Sequence, residues 1–214
     1  DKIIMLPSYF DARAYSLEQV KAEHDLHKLY PQFNIIALLR TEHLSEDEAD
    51  FVIEVVAKLQ KRYVRFGLLI VGPTSLEAPL TAWARDEGVE DHIVFLHSDE
   101  DIISFYKTAN VCFVISEGDA TKALREAAAS GALIVSRKIG LAEQVIVDEE
   151  SGFICHEPTT DYFARKVIDI IEAPGLRESM RIKVQEKAIE IWSEDHLAYL
   201  AAIREAWFAT LKKI

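Results

Sequence analysis

The sequence predicts an α/β protein built on a doubly wound parallel sheet of about six strands, with a helical C-terminal tail. The main observation is that short apolar runs alternate with amphipathic segments along most of the chain. A second is that such alternation places helices on both faces of a parallel sheet. The third is a composition in which 50% of the 214 residues are hydrophobic and 28% are charged, which is typical of a globular domain.

The predicted strands and helices can be taken in chain order. The six apolar runs are FNIIALLR, FGLLIVG, HIVFL, VCFVI, ALIVS and GFICH. Between the first two lies the amphipathic segment SEDEADFVIEVVAKLQKRY, where Ser45 and Glu48 predict a capping box. Gly88 and Gly131 stand where helices are expected to end. Together these signals predict a Rossmann-like sheet with helices on both faces.

The chain divides into three predicted regions. Residues 1–32 are expected to form a linker and a short helix, residues 33–173 the Rossmann-like domain, and residues 174–214 C-terminal helices after the break at Pro174-Gly175. No apolar stretch approaches the ~20 residues that a membrane-spanning helix needs. Because the chain opens with Asp1 and no signal-like segment, we expect it to be part of a longer protein.

Charge and cysteine content exclude several function classes. The formal net charge of −12 argues against general binding to nucleic acid or to anionic membranes, so a phosphate ligand would have to be held locally. Cys112 and Cys155 both lie inside apolar runs, and we expect buried, inert thiols in a reducing compartment. The sequence has no dinucleotide fingerprint, P-loop, nucleophile elbow or histidine pair with metal-ligand spacing, and we predict no metal and no bound cofactor.

Function is expected at the carboxyl ends of the strands, where doubly wound sheets bind their ligands. The predicted strand-to-helix loops are Arg40–Leu44, Gly72–Ser75, His97–Asp99, Ser116–Thr121, Ser136–Leu141 and His156–Thr160.

The segment 111–154 contains the most specific pattern. A strand is predicted to end at Ile115, a turn to follow, and a helix to begin near Thr121, where backbone amides and the helix dipole favour an anion. Glu126 lies inside that helix, and its carboxylate can accept two hydrogen bonds from a vicinal diol such as a ribose.

Several motifs together resemble one known family. They are IVG at 70–72, VFLHSDEDIISFYKTANV, SEGDATKALREAAASGALIVS, DEESGFI at 148–154, WSEDHLAYLAAIREAW near the end and LPSYFDARAYS near the start. Over nearly its whole length the chain is similar to the C-terminal, donor-binding half of the group 1 glycosyltransferases, which are retaining enzymes of the GT-B fold that use nucleotide sugars.

The resemblance implies roles for individual residues. Glu126 would hold the nucleotide ribose, and Glu117, the predicted catalytic residue, would face the donor sugar. Backbone amides from Gly118 to Thr121 would meet the sugar and diphosphate. Arg40 would pair with the diphosphate, and Gly72 would lie at the donor site, at the end of the second strand.

Departures from the family pattern leave alternatives open. Eight residues separate Glu117 from Glu126 instead of the usual seven, so the loop is expected to bulge or the helix to start later. Asp47 falls near a position where the family commonly has lysine, which removes a cation from the diphosphate site. Lys122, Arg137 or Lys138 could supply the missing cation, His97 stands beside the base where the family usually has glycine, and Glu143 resembles the glutamate of the family's PE dipeptide.

Structural interpretations compete with these roles. Glu126 could pair with Lys122 four residues earlier on an exposed helix face, and Arg40 could form a surface ion pair with Glu42 or Glu46. Glu143 could be an exposed helix residue, His97 an ordinary loop histidine, and Phe105 and Tyr106 part of a packing face.

The expected function is transfer of a sugar, with retention, from a nucleoside diphosphate sugar to a saccharide or lipid-linked acceptor. The partners implied by the resemblance are the nucleotide sugar, that acceptor, and an N-terminal acceptor-binding domain against which residues 174–214 would pack. This chain alone is expected to be inactive for transfer.

The location is expected to be the cytoplasm, and the full protein could also make peripheral contact with the inner face of the membrane. The alternative is a non-catalytic domain with a degenerate donor site. We also expect Glu126→Gln to weaken nucleotide binding with little loss of stability.

Overall fold

A computed structural model describes most of the chain. The described residues are 10–16, 21–40, 44–73, 75–116, 120–140, 142–193 and 196–211. The strands are β1 (Ile35–Arg40), β2 (Phe66–Val71), β3 (Ile93–Leu96), β4 (Val111–Val114), β5 (Ile134–Arg137) and β6 (Phe153–Cys155). The helices are α1 (Leu26–Leu29), α2 (Glu46–Arg62), α3 (Glu77–Asp86), α4 (Ile102–Thr108), α5 (Ala120–Ala129), α6 (Ala142–Val145), α7 (Thr160–Glu172), α8 (Pro174–Trp192) and α9 (His196–Leu211).

The six strands form one parallel sheet in the order β3-β2-β1-β4-β5-β6. This order confirms the predicted doubly wound, Rossmann-like fold. The direction of winding reverses between β1 and β4, and in such sheets the crevice beyond the carboxyl ends at this point is where ligands bind. The pairs Leu38↔Cys112 and Leu39↔Phe113 set the register of the two strands.

Helices cover the sheet on both faces, because alternate strand residues point to opposite sides. On β1, Ala37 and Leu39 belong to the core cluster that α2, α3 and α7 help to form. Ile36 and Leu38 belong to the second cluster, on the side of α4, α5 and α8. All four side chains are at most 2% exposed, so the sheet is buried on both faces.

The predicted helix boundaries are largely confirmed. Ser45 and Glu48 form the complete capping box of α2. Gly88 and Gly131 follow α3 and α5 with φ angles of 71° and 68°, a left-handed conformation that glycine adopts without strain. The predicted break at Pro174 separates α7 from α8, with proline at the first helical position, where its missing N–H costs nothing.

The start of the described chain meets the end of α8 beside α5. Asp11 forms an isolated antiparallel bridge with Ser193, just after α8. The side chain of Arg125 lies over the rings of Phe10 and Trp192, with its guanidinium carbon 6.0 and 5.5 Å from the two ring centroids. The segment that precedes the sheet is therefore packed against the last turn of α8.

Candidate functional site: a charged cluster at the switch point

A buried ion pair occupies the crevice between β1 and β4. Arg40 is the last residue of β1, and Glu126 lies on α5, the helix that follows β4. The Nη1 group of Arg40 donates a hydrogen bond to Oε2 of Glu126. The arginine side chain is 2% exposed and the glutamate side chain 7% exposed. The structure thus brings together the two residues to which the resemblance assigned the ribose and the diphosphate.

Asp99 joins this pair from the loop between β3 and α4. Its Oδ2 atom accepts a hydrogen bond from Nη2 of Arg40 at 2.7 Å. In contrast to the other two side chains, that of Asp99 is 46% exposed. Arg40 therefore holds two carboxylates with two different nitrogens, one carboxylate inside the protein and one at its surface.

The charges of Arg40 and Glu126 act on two nearby tyrosines. Tyr106, on α4, is 2% exposed. Burial raises the pKa of its phenol well above the ordinary value, the negative charge of Glu126 raises it further, and Arg40 partly opposes this. The pKa of Tyr15, in the 3-10 helix Ala12–Tyr15, is raised by burial and by Glu126 and lowered less by Arg40. Both phenols therefore stay neutral at physiological pH.

The geometry replaces the structural alternatives considered for Arg40 and Glu126. The interpretation of Glu126 as an exposed helix residue paired with Lys122 is wrong, because its side chain is buried against Arg40. Likewise the arginine forms a buried pair with distant residues, and Glu42 lies outside the described residues. The burial of the pair also changes the expectation for Glu126→Gln: we now expect this substitution to lower stability, because it removes a charge that compensates a buried guanidinium.

The other predicted cations lie in different surroundings. Lys122 is an exposed residue in the first turn of α5, one turn before Glu126. Arg137, at the end of β5, places its guanidinium carbon 5.3 Å from the ring centroid of Phe51. Lys138 pairs with Glu143 at 3.4 Å, and both side chains are more than half exposed. Of these three cations, only Lys122 shares an element with the buried pair.

The remaining predicted residues are placed as follows. Gly72 follows β2 with φ 110°, which favours glycine, and its N–H donates to the carbonyl of Leu96 at 2.9 Å. His97 is exposed and lies 3.7 Å from a carboxylate oxygen of Glu77. Glu117 and Gly118 lie outside the described residues, as does the Thr121 side chain, although the Thr121 backbone belongs to α5.

Sequence reasoning missed Asp99, Tyr106 and Tyr15 as neighbours of the site. Asp99 was named only as the end of a strand-to-helix loop, and Tyr106 only as part of a packing face, which its burial confirms. A carboxylate in a loop at the carboxyl edge was the available signal for Asp99. The sequence carries no comparable signal for Tyr15, because a segment preceding the first strand can pack in many places.

Several other properties of the chain bear on its chemistry. Cys112 and Cys155 are buried free thiols, which confirms their expected burial, and this burial raises the pKa of each to about 12. Among the described residues there is no group of three or more His, Cys, Asp or Glu side chains arranged to hold a metal ion. Within the same residues, no helix combines the length and apolar character needed to cross a membrane.

Fold and site together define a class of protein: a doubly wound α/β domain whose charged crevice lies at the carboxyl edge of the sheet. The family model described as "Glycosyl transferases group 1" matches residues 22–187. Since that match covers most of the chain, the protein belongs to the group 1 glycosyltransferase family. The resemblance inferred from the sequence motifs is confirmed.

Individual relatives support the same assignment. The chain is 22% identical over 191 residues to the N-acetyl-alpha-D-glucosaminyl L-malate synthase of Bacillus anthracis, covering 86% of this chain and 48% of that protein. A glycosyltransferase structure from Rickettsia africae superposes with a TM-score of 0.75 at 19% identity, covering 100% of this chain and 58% of the other. The structure of Anabaena HepE in complex with UDP and glucose gives 0.75 at 17% identity, covering 94% and 55%.

The chain spans less than half the length of the curated relatives that it matches, between 40% and 48%. It therefore corresponds to one part of those proteins.

Proposed function

We propose that this chain is the donor-binding half of a retaining glycosyltransferase and that it holds a nucleoside diphosphate sugar at the carboxyl edge of its sheet. The observation that carries the proposal is the Arg40–Glu126 pair at the point where the winding of the sheet reverses. A guanidinium and a carboxylate side by side offer the chemistry that a phosphate and a ribose diol require. Membership of the family supports the same assignment.

Each group has a proposed role. Glu126 accepts hydrogen bonds from the ribose hydroxyls, while Arg40, Lys122 and the backbone amides from Gly118 to Thr121 meet the diphosphate. Glu117 faces the donor sugar, and Gly72 lets the chain turn beside the nucleotide. Catalysis is electrostatic in this scheme, because cations and oriented amides stabilise the charge that develops on the departing diphosphate. The proposal assigns no metal ion to the reaction.

The acceptor side belongs to a part of the protein that this chain does not contain. We propose an N-terminal acceptor-binding domain that receives a saccharide or lipid-linked acceptor. In the structure α8 packs on α5, where Gln185 donates to the carbonyl of Ala129 at 2.8 Å. Leu200, Trp207 and Phe208 of α9 are instead 47%, 66% and 54% exposed, so α9 is the element proposed to pack on the missing domain. The chain alone should bind donor but transfer nothing.

Titration calorimetry with UDP, GDP and ADP tests the donor site. We expect one of the three to bind, UDP being the first candidate because the Anabaena relative was solved with it. Lys122→Ala should weaken the nucleoside diphosphate about fivefold to tenfold and leave the parent nucleoside unaffected, since one charge contact to phosphate is lost. Lys187→Ala, on the outer surface of α8, is the matched control and should change neither affinity.

Failure of all three nucleotides to bind would favour a second candidate, a non-catalytic domain with an interaction role. One observation supports this candidate: Arg40 already holds two carboxylates, so the described cluster carries a formal charge of −1. The nucleotide titration separates the two candidates, because only the first requires specific affinity for a base and a diphosphate. Sugar transfer by the isolated chain would contradict the proposed division of labour between the two halves.

A further inference from the structure

The exposed member of the charged cluster behaves differently from the buried pair. Asp99 precedes α4, and its backbone carbonyl accepts a hydrogen bond from the amide of Ile102 at 3.1 Å. This bond ties the backbone of Asp99 to the first turn of the helix. The side chain extends from there to Arg40 and remains 46% exposed. Rotation of the side chain is therefore compatible with a fixed loop backbone.

Arg40 presents its two terminal nitrogens to two environments. Nη1 donates to the buried carboxylate of Glu126, and Nη2 donates to the exposed carboxylate of Asp99. Separating buried charges leaves an uncompensated ion inside the protein, whereas exposed ion pairs contribute little to stability. Of the two contacts, the one with Asp99 is thus the easier to exchange for another anion.

We propose that Asp99 determines the affinity and charge selectivity of the site, by competing with the anionic part of the ligand for Nη2 of Arg40. A phosphate reaches this nitrogen only when the carboxylate of Asp99 turns away, while the contact between Arg40 and Glu126 persists. This inference rests on the proposed donor site, because it names the residue that limits how tightly that site holds a diphosphate.

The competition has a direct electrostatic consequence. With both carboxylates in place, the formal charges of Arg40, Glu126 and Asp99 sum to −1, and this net negative charge repels a polyanionic ligand. Replacing Asp99 by asparagine makes the sum zero and keeps a side chain of the same size that can still accept a hydrogen bond from Arg40. The substitution therefore tests charge with little change in packing.

The experiment titrates wild type, Asp99→Asn and Glu100→Gln with inorganic pyrophosphate and with UDP, GDP and ADP at low salt. Glu100→Gln is the matched control because it removes the same charge from the neighbouring exposed residue, whose backbone amide donates a hydrogen bond to the Ser98 hydroxyl. We expect Asp99→Asn to bind pyrophosphate and the preferred nucleotide about fivefold to tenfold tighter than wild type, and Glu100→Gln to change either affinity less than about twofold.

Each outcome bears on the two proposals separately. Unchanged or weaker binding of pyrophosphate by Asp99→Asn, including no binding at all, overturns the competition. An equal gain in affinity in Glu100→Gln also overturns the competition, since the effect would then come from a general reduction of negative charge. If pyrophosphate binds tighter to Asp99→Asn but no nucleotide binds any variant, the competition stands and the donor site fails. Thermal unfolding of the three proteins verifies that each is folded during the titrations.

Discussion

Two arginine–carboxylate pairs in this protein share their chemistry and differ in burial. At the carboxyl edge of the sheet, Arg40 pairs with Glu126 beside the buried Tyr106. On the outside of the molecule, Arg62 pairs with Glu172, and the hydroxyl of Tyr63 donates to the same glutamate at 2.8 Å. The side chains of the outer pair are 53% and 46% exposed, against 2% and 7% for the inner pair.

Burial decides what such a pair can do. The outer pair joins α2 to α7 and remains hydrated, so water replaces either partner at small cost. The inner pair is shielded from solvent, so its charges depend on each other for compensation. The same residue types therefore serve as a surface link in one region and as the buried polar centre of the proposed binding site in the other.

The largest expected effect is on stability. Glu126→Ala should lower the free energy of unfolding by about 3 kcal/mol, because it leaves a buried guanidinium with less compensating charge. Glu172→Ala is the matched control on the exposed pair and should cost much less. Urea unfolding followed by circular dichroism measures both.

A double variant sharpens this prediction. Replacing both partners, Arg40→Met with Glu126→Leu, should recover much of the lost stability, since no buried charge remains. If Glu126→Ala and Glu172→Ala cost the same, the assigned difference in burial between the two pairs is wrong.

A smaller effect is expected in the pH dependence of the outer pair. Hydrogen bonds from Arg62 and Tyr63 hold the pKa of Glu172 below its ordinary value of 4.5. A lowered folded-state pKa stabilises the protein above the unfolded-state value, and this stabilisation disappears as the pH falls through the folded-state pKa. The difference in unfolding free energy between wild type and Glu172→Gln should therefore be constant near neutral pH and shrink below pH 4.5.

Urea unfolding at several pH values from neutral to acid measures this difference. A gap between wild type and Glu172→Gln that widens on acidification would contradict the prediction. Glu150→Gln, which removes a carboxylate paired with Lys183 at the longer distance of 3.5 Å, provides a control for the general loss of acidic charge.

The smallest effect is spectroscopic. Burial and the nearby charge of Glu126 keep the pKa of Tyr106 well above 10.0, whereas the pKa of Tyr63 is raised mainly by its partial burial. Alkaline titration of phenolate absorbance should therefore be the same in wild type and Tyr106→Phe until the protein unfolds. Tyr63→Phe should remove one ionising group from the folded protein. Loss of a phenolate signal in folded Tyr106→Phe would show that water reaches the cluster.

Much of the fold was predictable because it depends on local patterns. Each of the six apolar runs became a strand, and the capping residues Ser45 and Glu48 fixed the start of α2. The candidate site was predictable in part: the resemblance to the family named both Arg40, at the end of the first strand, and Glu126, on the helix after the fourth strand. Their mutual contact was not, because it joins residues 86 positions apart.

The sequence by itself determined the class of this protein, since alternating strands and helices admit only a covered parallel sheet and since its motifs are those of the group 1 glycosyltransferases. Tertiary structure alone decided which charges meet. Arg40 touches Asp99 across 59 positions because the ends of β1 and β3 lie at the same carboxyl edge of one sheet. Its pairing with Glu126 is buried, which no local pattern encodes, and burial makes the loss of either partner costly.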